Sequence, residues 1–80
     1  MIAIVNVFLK EGVLDPQGKA VHHALDTMKF EGVEDVRIGK QIIIKLSETD
    51  KAKAIEEVTK MAEDILANTV IENYTIEIVE

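Results

Sequence analysis

Three observations predict a small α+β domain. Apolar residues alternate at period two near both ends of the chain, in residues 2–9 and 74–79. Between them, residues 16–28 and 49–67 carry apolar residues at helical spacing. Two further extended runs, 33–38 and 41–46, flank a Gly-Lys pair. The order is β-α-β-β-α-β, which predicts a ferredoxin-like fold: a four-stranded antiparallel sheet with two helices on one face. At 80 residues the chain is expected to form one domain spanning residues 1–80, with only modest stability from its own core.

The first strand sets Ile2, Ile4, Asn6 and Phe8 on one face and Ala3, Val5, Val7 and Leu9 on the other. Both faces are largely apolar, the pattern of a strand covered on both sides. Two helices cover only one face of a sheet, so the other is expected to meet a second subunit. Ala3, Val5, Val7 and Leu9 are the candidate interface, with Ile2, Ile4 and Phe8 as the alternative. A homodimer or homotetramer is therefore expected.

The stretch LDPQGKAVHHAL, residues 14–25, opens the first helix. Asp15 is placed to cap it, and Pro16 falls at the first helical position, where a missing N–H costs nothing. Ala20, Val21, Ala24, Leu25 and Met28 form the apolar stripe. His22 and His23 then lie on opposite sides of that stripe, toward solvent, with Asp26 near both. Adjacent helical positions point about 100° apart, so the two rings cannot converge on one ion. Gly18 is out of place by helix propensity, at a cost of up to about 1 kcal/mol relative to alanine. A close approach to its backbone is expected, by another chain in preference to an anion at the helix N-terminus. Asp15, Pro16, Gln17 and Gly18 accordingly join the candidate interface, together with Arg37, the only arginine.

VEDVRI (33–38) and QIIIKL (41–46) read as a hairpin closed by Gly39-Lys40 in a type II′ turn. A phosphate loop is excluded there, because no glycine precedes at the right spacing and Gln41 stands where Ser or Thr is required. In the second helix Ile55, Val58, Ala62, Ile65 and Leu66 form the stripe, with Met61 at its edge. Ser47 or Thr49 is expected to cap its start, and Asn68 to end it in the left-handed conformation. The last strand aligns Tyr74, Ile76 and Ile78 on one face.

Composition narrows the function. A net charge of −6, one arginine and only Phe8, Phe30 and Tyr74 as aromatics argue against nucleic acid. The absence of cysteine removes thiol catalysis and thiolate metal sites. MIAIVNVFLK lacks a basic leader and a cleavage site and is too short to span a bilayer, so no membrane association and a cytoplasmic location are expected. Asn73-Tyr74-Thr75 matches the glycosylation pattern by chance in such a compartment. No nucleophile is paired with a base, and no catalytic, cofactor-binding or metal-ligating residue is expected.

LKEGVLDPQGKAVHHAL (9–25), VEDVRIGK (33–40) and LANTVIENY (66–74) together resemble the PurS family of phosphoribosylformylglycinamidine synthase subunits, over almost the whole chain. The resemblance implies an accessory subunit of an ATP- and glutamine-dependent C–N ligase in de novo purine biosynthesis. In that complex a glutaminase subunit (PurQ) releases ammonia, and a synthetase subunit (PurL) uses ATP to activate the amide of formylglycinamide ribonucleotide. The PurS-like chain is then a non-catalytic bridge. ATP, magnesium and glutamine belong to the complex, and the chain itself binds no cofactor. Two alternatives share the βαββαβ order. An ACT-type sensing domain needs a ligand pocket after the first strand, where KEGVL (10–14) offers little polar chemistry. An acylphosphatase-type enzyme needs an arginine near the first helix, whereas Arg37 lies in the expected second strand.

Overall fold

The computed structural model describes residues 1–80. Strand β1 (Ile2–Leu9) is followed by helix α1 (Pro16–Thr27), strand β2 (Gly39–Lys45), helix α2 (Lys51–Met61), a π-helical turn (Ala62–Leu66) and strand β3 (Glu72–Val79). The sheet has three strands in the order β2-β1-β3, both pairings antiparallel. β1 is central because it is the strand with two apolar faces. Val5 lies between Ile42 and Ile76, and Ala3 between Ile44 and Ile78.

The expected fourth strand, 33–38, is not part of the sheet. A type II′ turn at Gly39-Lys40 needs a positive φ at the glycine, but the positive-φ residues are Gly12, Lys29 and Gly32. The chain instead runs straight through: Gly39 and Lys40 lie inside β2, opposite Phe8 and Val7. Side chains take the hydrogen bonds that a ladder would have used. The Ile38 N–H donates to Asp15 Oδ2 at 2.7 Å, and the Val36 N–H to Asp35 Oδ1 at 2.9 Å. No backbone–backbone hydrogen bond involves residues 33–38.

The core lies between the sheet and α2. Ala3 and Val5 are 0% and Val7 1% exposed, packed against Val58 and Ala62 of the second helical stretch. Ala3, Val5 and Val7 are therefore this chain's own core and not its interface. Leu9 is half-buried at the end of the same face. The uncovered face carries the alternative set, Ile2, Ile4 and Phe8, beside Ile43 of β2 and Val79 of β3.

Only one of the two helices covers the sheet. Helix α1 forms as expected, with Asp15 as cap and Pro16 at its start, but its stripe does not dock. Ala20, Val21, Ala24 and Met28 are all exposed and Leu25 is half-buried. The molecule is drawn out to 48 × 26 × 14 Å, with a radius of gyration of 16.0 Å. A compact domain of this length would have roughly 12 Å.

Asp50, rather than Ser47 or Thr49, caps α2, accepting from the N–H groups of Ala52 and Lys53. The buried line runs Ala54, Val58, Ala62 along α2, and the π turn then shifts the helical phase so that it continues at Ala67. Ile55 and Ile65 are turned out, at 42% and 81% exposure. Asn68 does not adopt a left-handed conformation. It ends the helical stretch as a turn, its carbonyl accepting from the N–H groups of Ile71 and Glu72.

Candidate protein-interaction surface

Asp15, Gly18 and Arg37 converge where the β1–α1 loop, the first turn of α1 and segment 33–38 meet. Asp15 is 4% exposed. Its two carboxylate oxygens serve two separated parts of the chain: Oδ1 accepts from the Gly18 N–H at 2.8 Å, and Oδ2 from the Ile38 N–H at 2.7 Å. Capping thus also fastens α1 to the segment entering β2. Arg37 closes the other side, donating from Nη2 to the carbonyls of Val13 at 2.8 Å and Lys10 at 3.3 Å. The loop that an ACT-type sensing domain would use for a ligand is engaged by this guanidinium.

Gly18 has its explanation within the chain. An added Cβ would overlap the Val36 carbonyl oxygen and stand 3.0 Å from the Val36 carbonyl carbon. The close approach expected from a partner is made by this chain's own backbone. Pro16 and Gln17 beside it are exposed.

The Ile38 and Gly18 N–H groups, in that order of importance, hold the Asp15 carboxyl below its ordinary value of 3.8, and the Arg37 charge adds to the effect. A folded-state pKa below the unfolded one contributes stability that is complete above the unfolded value. That stability is lost as pH falls through the folded value. Glu48 behaves likewise before α2, accepting from the N–H groups of Asp50 and Thr49. Stability should therefore decline as pH drops below about 4, and Asp15→Asn should flatten part of that decline while lowering stability at neutral pH. An asparagine has one oxygen for two N–H groups. Urea midpoints measured from pH 3 to pH 7 check this; an unchanged midpoint at neutral pH would remove Asp15 from the junction.

The histidines are structural or free. His22 is half-buried and donates from Nε2 to the Val33 carbonyl at 2.9 Å, with Asp26 Oδ2 at 3.8 Å from the same nitrogen. His22 thus points back to the segment that follows its own helix, not to solvent. His23 is exposed. No three acidic or histidine side chains are grouped as they would be around a metal ion. The Tyr74 hydroxyl donates to Glu63 Oε1 at 2.6 Å, which ties β3 to the π turn and raises the phenol pKa.

Uncovered apolar surface is what remains. Leu14, Met28 and Phe30 are 63%, 68% and 53% exposed around α1, and Ile43 is 61% exposed on the bare sheet face. Extended apolar patches of this kind mark contact surfaces between proteins. No helix is long and apolar enough to cross a membrane.

Comparison with known proteins gives the same picture. Residues 2–80 match the family model described as PurS: Phosphoribosylformylglycinamidine (FGAM) synthase. The PurS subunit of phosphoribosylformylglycinamidine synthase from Bacillus subtilis (strain 168) is 50% identical over 76 residues, which cover 95% of this chain and 89% of that one. The crystal structure of Bacillus subtilis PurS is similar at a TM-score of 0.84 and 48% identity, over 100% of both chains. A chain in the structure of PurLQS from Thermotoga maritima is similar at a TM-score of 0.86 and 32% identity, covering 95% of this chain and 93% of that one.

Proposed function

Because this chain belongs to the PurS family of phosphoribosylformylglycinamidine synthase subunits, we propose that it is the non-catalytic bridge of that synthase in purine biosynthesis. It holds a glutaminase subunit (PurQ) and a synthetase subunit (PurL) together while ammonia passes between them. The relative found in a PurLQS structure supports the pairing with both enzymes. One observation within the chain carries the reading most directly. Three of the polar groups that sequence motifs single out are committed to holding the backbone, while the apolar surface is left open. Asp15 serves two N–H groups, Arg37 two carbonyls, and His22 one carbonyl.

The physics of such a bridge is positional. Ammonia released into water is diluted and protonated, so productive transfer requires two active sites held in register. ATP, magnesium and glutamine are then used by the larger subunits, and no cofactor is assigned to this chain. Pro16 and Gln17, exposed at the start of α1, are the part of the candidate interface best placed to touch an enzyme subunit. The chain works in the cytoplasm as a homodimer or homotetramer.

Mixing purified glutaminase and synthetase subunits with and without this chain tests the proposal. Omitting it should lower glutamine-dependent product formation by about a hundredfold, the scale of loss when reacting groups are out of position. Ammonia-dependent formation by the synthetase should persist. Equal glutamine-dependent rates with and without the chain would refute the bridging role.

A further inference from the structure

Two of the three motifs that carry the family resemblance meet at the Asp15–Arg37 junction, and the third, LANTVIENY (66–74), does not. It forms the turn that leads from the π-helical stretch into β3. The Asn68 carbonyl accepts from the Ile71 N–H at 3.0 Å, which puts Thr69 and Val70 at the two central positions. Neither has a positive φ. Turns favour Gly, Pro, Asn, Asp and Ser, so turn chemistry gives no reason for two β-branched residues side by side. Packing gives none either: Val70 is 81% exposed, and Ile71 after it is exposed as well.

Isolated exposed apolar residues are common on protein surfaces, but this one is held still. The Asn68 N–H donates to Glu72 Oε1 at 2.7 Å, the Val70 N–H to Asn68 Oδ1 at 3.2 Å, and the Glu72 N–H to the Asn68 carbonyl at 2.7 Å. The β1–α1 loop fastens the far side, its Lys10 N–H donating to the Ile71 carbonyl at 2.8 Å. Tyr74, through Glu63, ties the start of β3 back to the π turn. A tip fixed in this way loses little freedom when another surface closes over it, which favours tight docking.

Charge narrows what closes over it. Residues 61–80 carry five acidic side chains and no basic one, in a chain of net charge −6. Glu63 and Asp64 precede the turn, and Glu72 closes it. An acidic surface would be repelled there, and a basic rim around an apolar centre is the complement.

We propose that the 68–72 turn is a docking point for an enzyme subunit of the synthase, whose matching surface is an apolar recess bordered by lysine or arginine side chains. Val70 enters the recess, and Glu63, Asp64 and Glu72 meet its rim. This rests on the bridging role proposed above and says where the bridge is seated.

The test titrates the chain into a mixture of glutaminase and synthetase subunits with formylglycinamide ribonucleotide, glutamine, ATP and magnesium. Val70→Asp should fold and self-associate as the wild type does, because the side chain already stands in solvent. Its half-saturating concentration for glutamine-dependent product formation should rise by about thirtyfold or more, the scale of a hot-spot side chain. The plateau should be regained at high concentration, and ammonia-dependent formation should be unchanged. Thr69→Lys should weaken assembly and Thr69→Glu should not; equal losses in the two would overturn the basic rim. The chain has no cysteine, so a photocrosslinker on Thr69→Cys reports from the turn alone and should join it to an enzyme subunit. Cross-linking only to a second copy of this chain, or a Val70→Asp titration within twofold of wild type, would overturn the docking point and leave the bridging role standing. A wild-type chain without effect on the glutamine-dependent rate would overturn both.

Discussion

Gly18→Ala is expected to lower the unfolding free energy by about 2–3 kcal/mol, the range of a strained insertion into a packed site. Taken alone, α1 would welcome the change, since alanine is worth up to about 1 kcal/mol over glycine in a helix. The tertiary contact reverses the sign. The new methyl group would overlap the Val36 carbonyl oxygen and stand 3.0 Å from Asp15 Oδ2. Neither neighbour is a loose side-chain end. The carbonyl belongs to the segment whose Ile38 N–H is held by Asp15, and that carboxylate also holds the Gly18 N–H. Relief must therefore come from moving α1 away from segment 33–38, which weakens the junction as a whole. Urea unfolding of wild type and variant, fitted with a common slope, measures the loss. A difference within about 0.5 kcal/mol would mean that the approach to Val36 is not tight.

Val58→Asp is expected to leave no cooperatively folded chain. Val58 is 0% exposed, in the cluster with Ala3, Val5 and Val7, and no cationic side chain belongs to that cluster. An unpaired carboxylate there costs more than about 4 kcal/mol, comparable with the whole stability of so small a domain. Ile65→Asp is the matched control, since Ile65 is 81% exposed. Its substitution should change stability by no more than about 0.5 kcal/mol. The pair is informative because helical periodicity from Ile55 onward puts both residues on one apolar stripe, and only the π turn separates their fates. Near-ultraviolet circular dichroism and thermal melts distinguish the two outcomes. Cooperative melting of Val58→Asp near the wild-type temperature would place this residue outside the core.

What the sequence determined alone was local. Asp15 and Pro16 specify a helix start, because a side-chain oxygen three residues from a backbone N–H and a fixed φ need no distant partner. Period-two alternation placed β1 and β3, and the two-faced apolar character of β1 made it the central strand. Three quoted motifs were enough to identify the family, since they span the chain and occur in order.

Tertiary structure decided the rest, through contacts between residues far apart in the chain. Gly39-Lys40 has the chemistry of a hairpin turn, yet it lies straight in β2, paired with Phe8 and Val7, while Asp15 takes the Ile38 N–H. Local preference for a turn is worth little against a charged acceptor and a continuous ladder. Gly18 was legible as a residue that needs room; only the path of segment 33–38 shows that Val36 claims it. Ala3, Val5 and Val7 could not be told from Ile2, Ile4 and Phe8 by pattern, because both sets are apolar and period two has no sign. The choice fell to α2, whose small Ala54 and Ala62 flank Val58 and let the helix settle closely over Val5 and Val7.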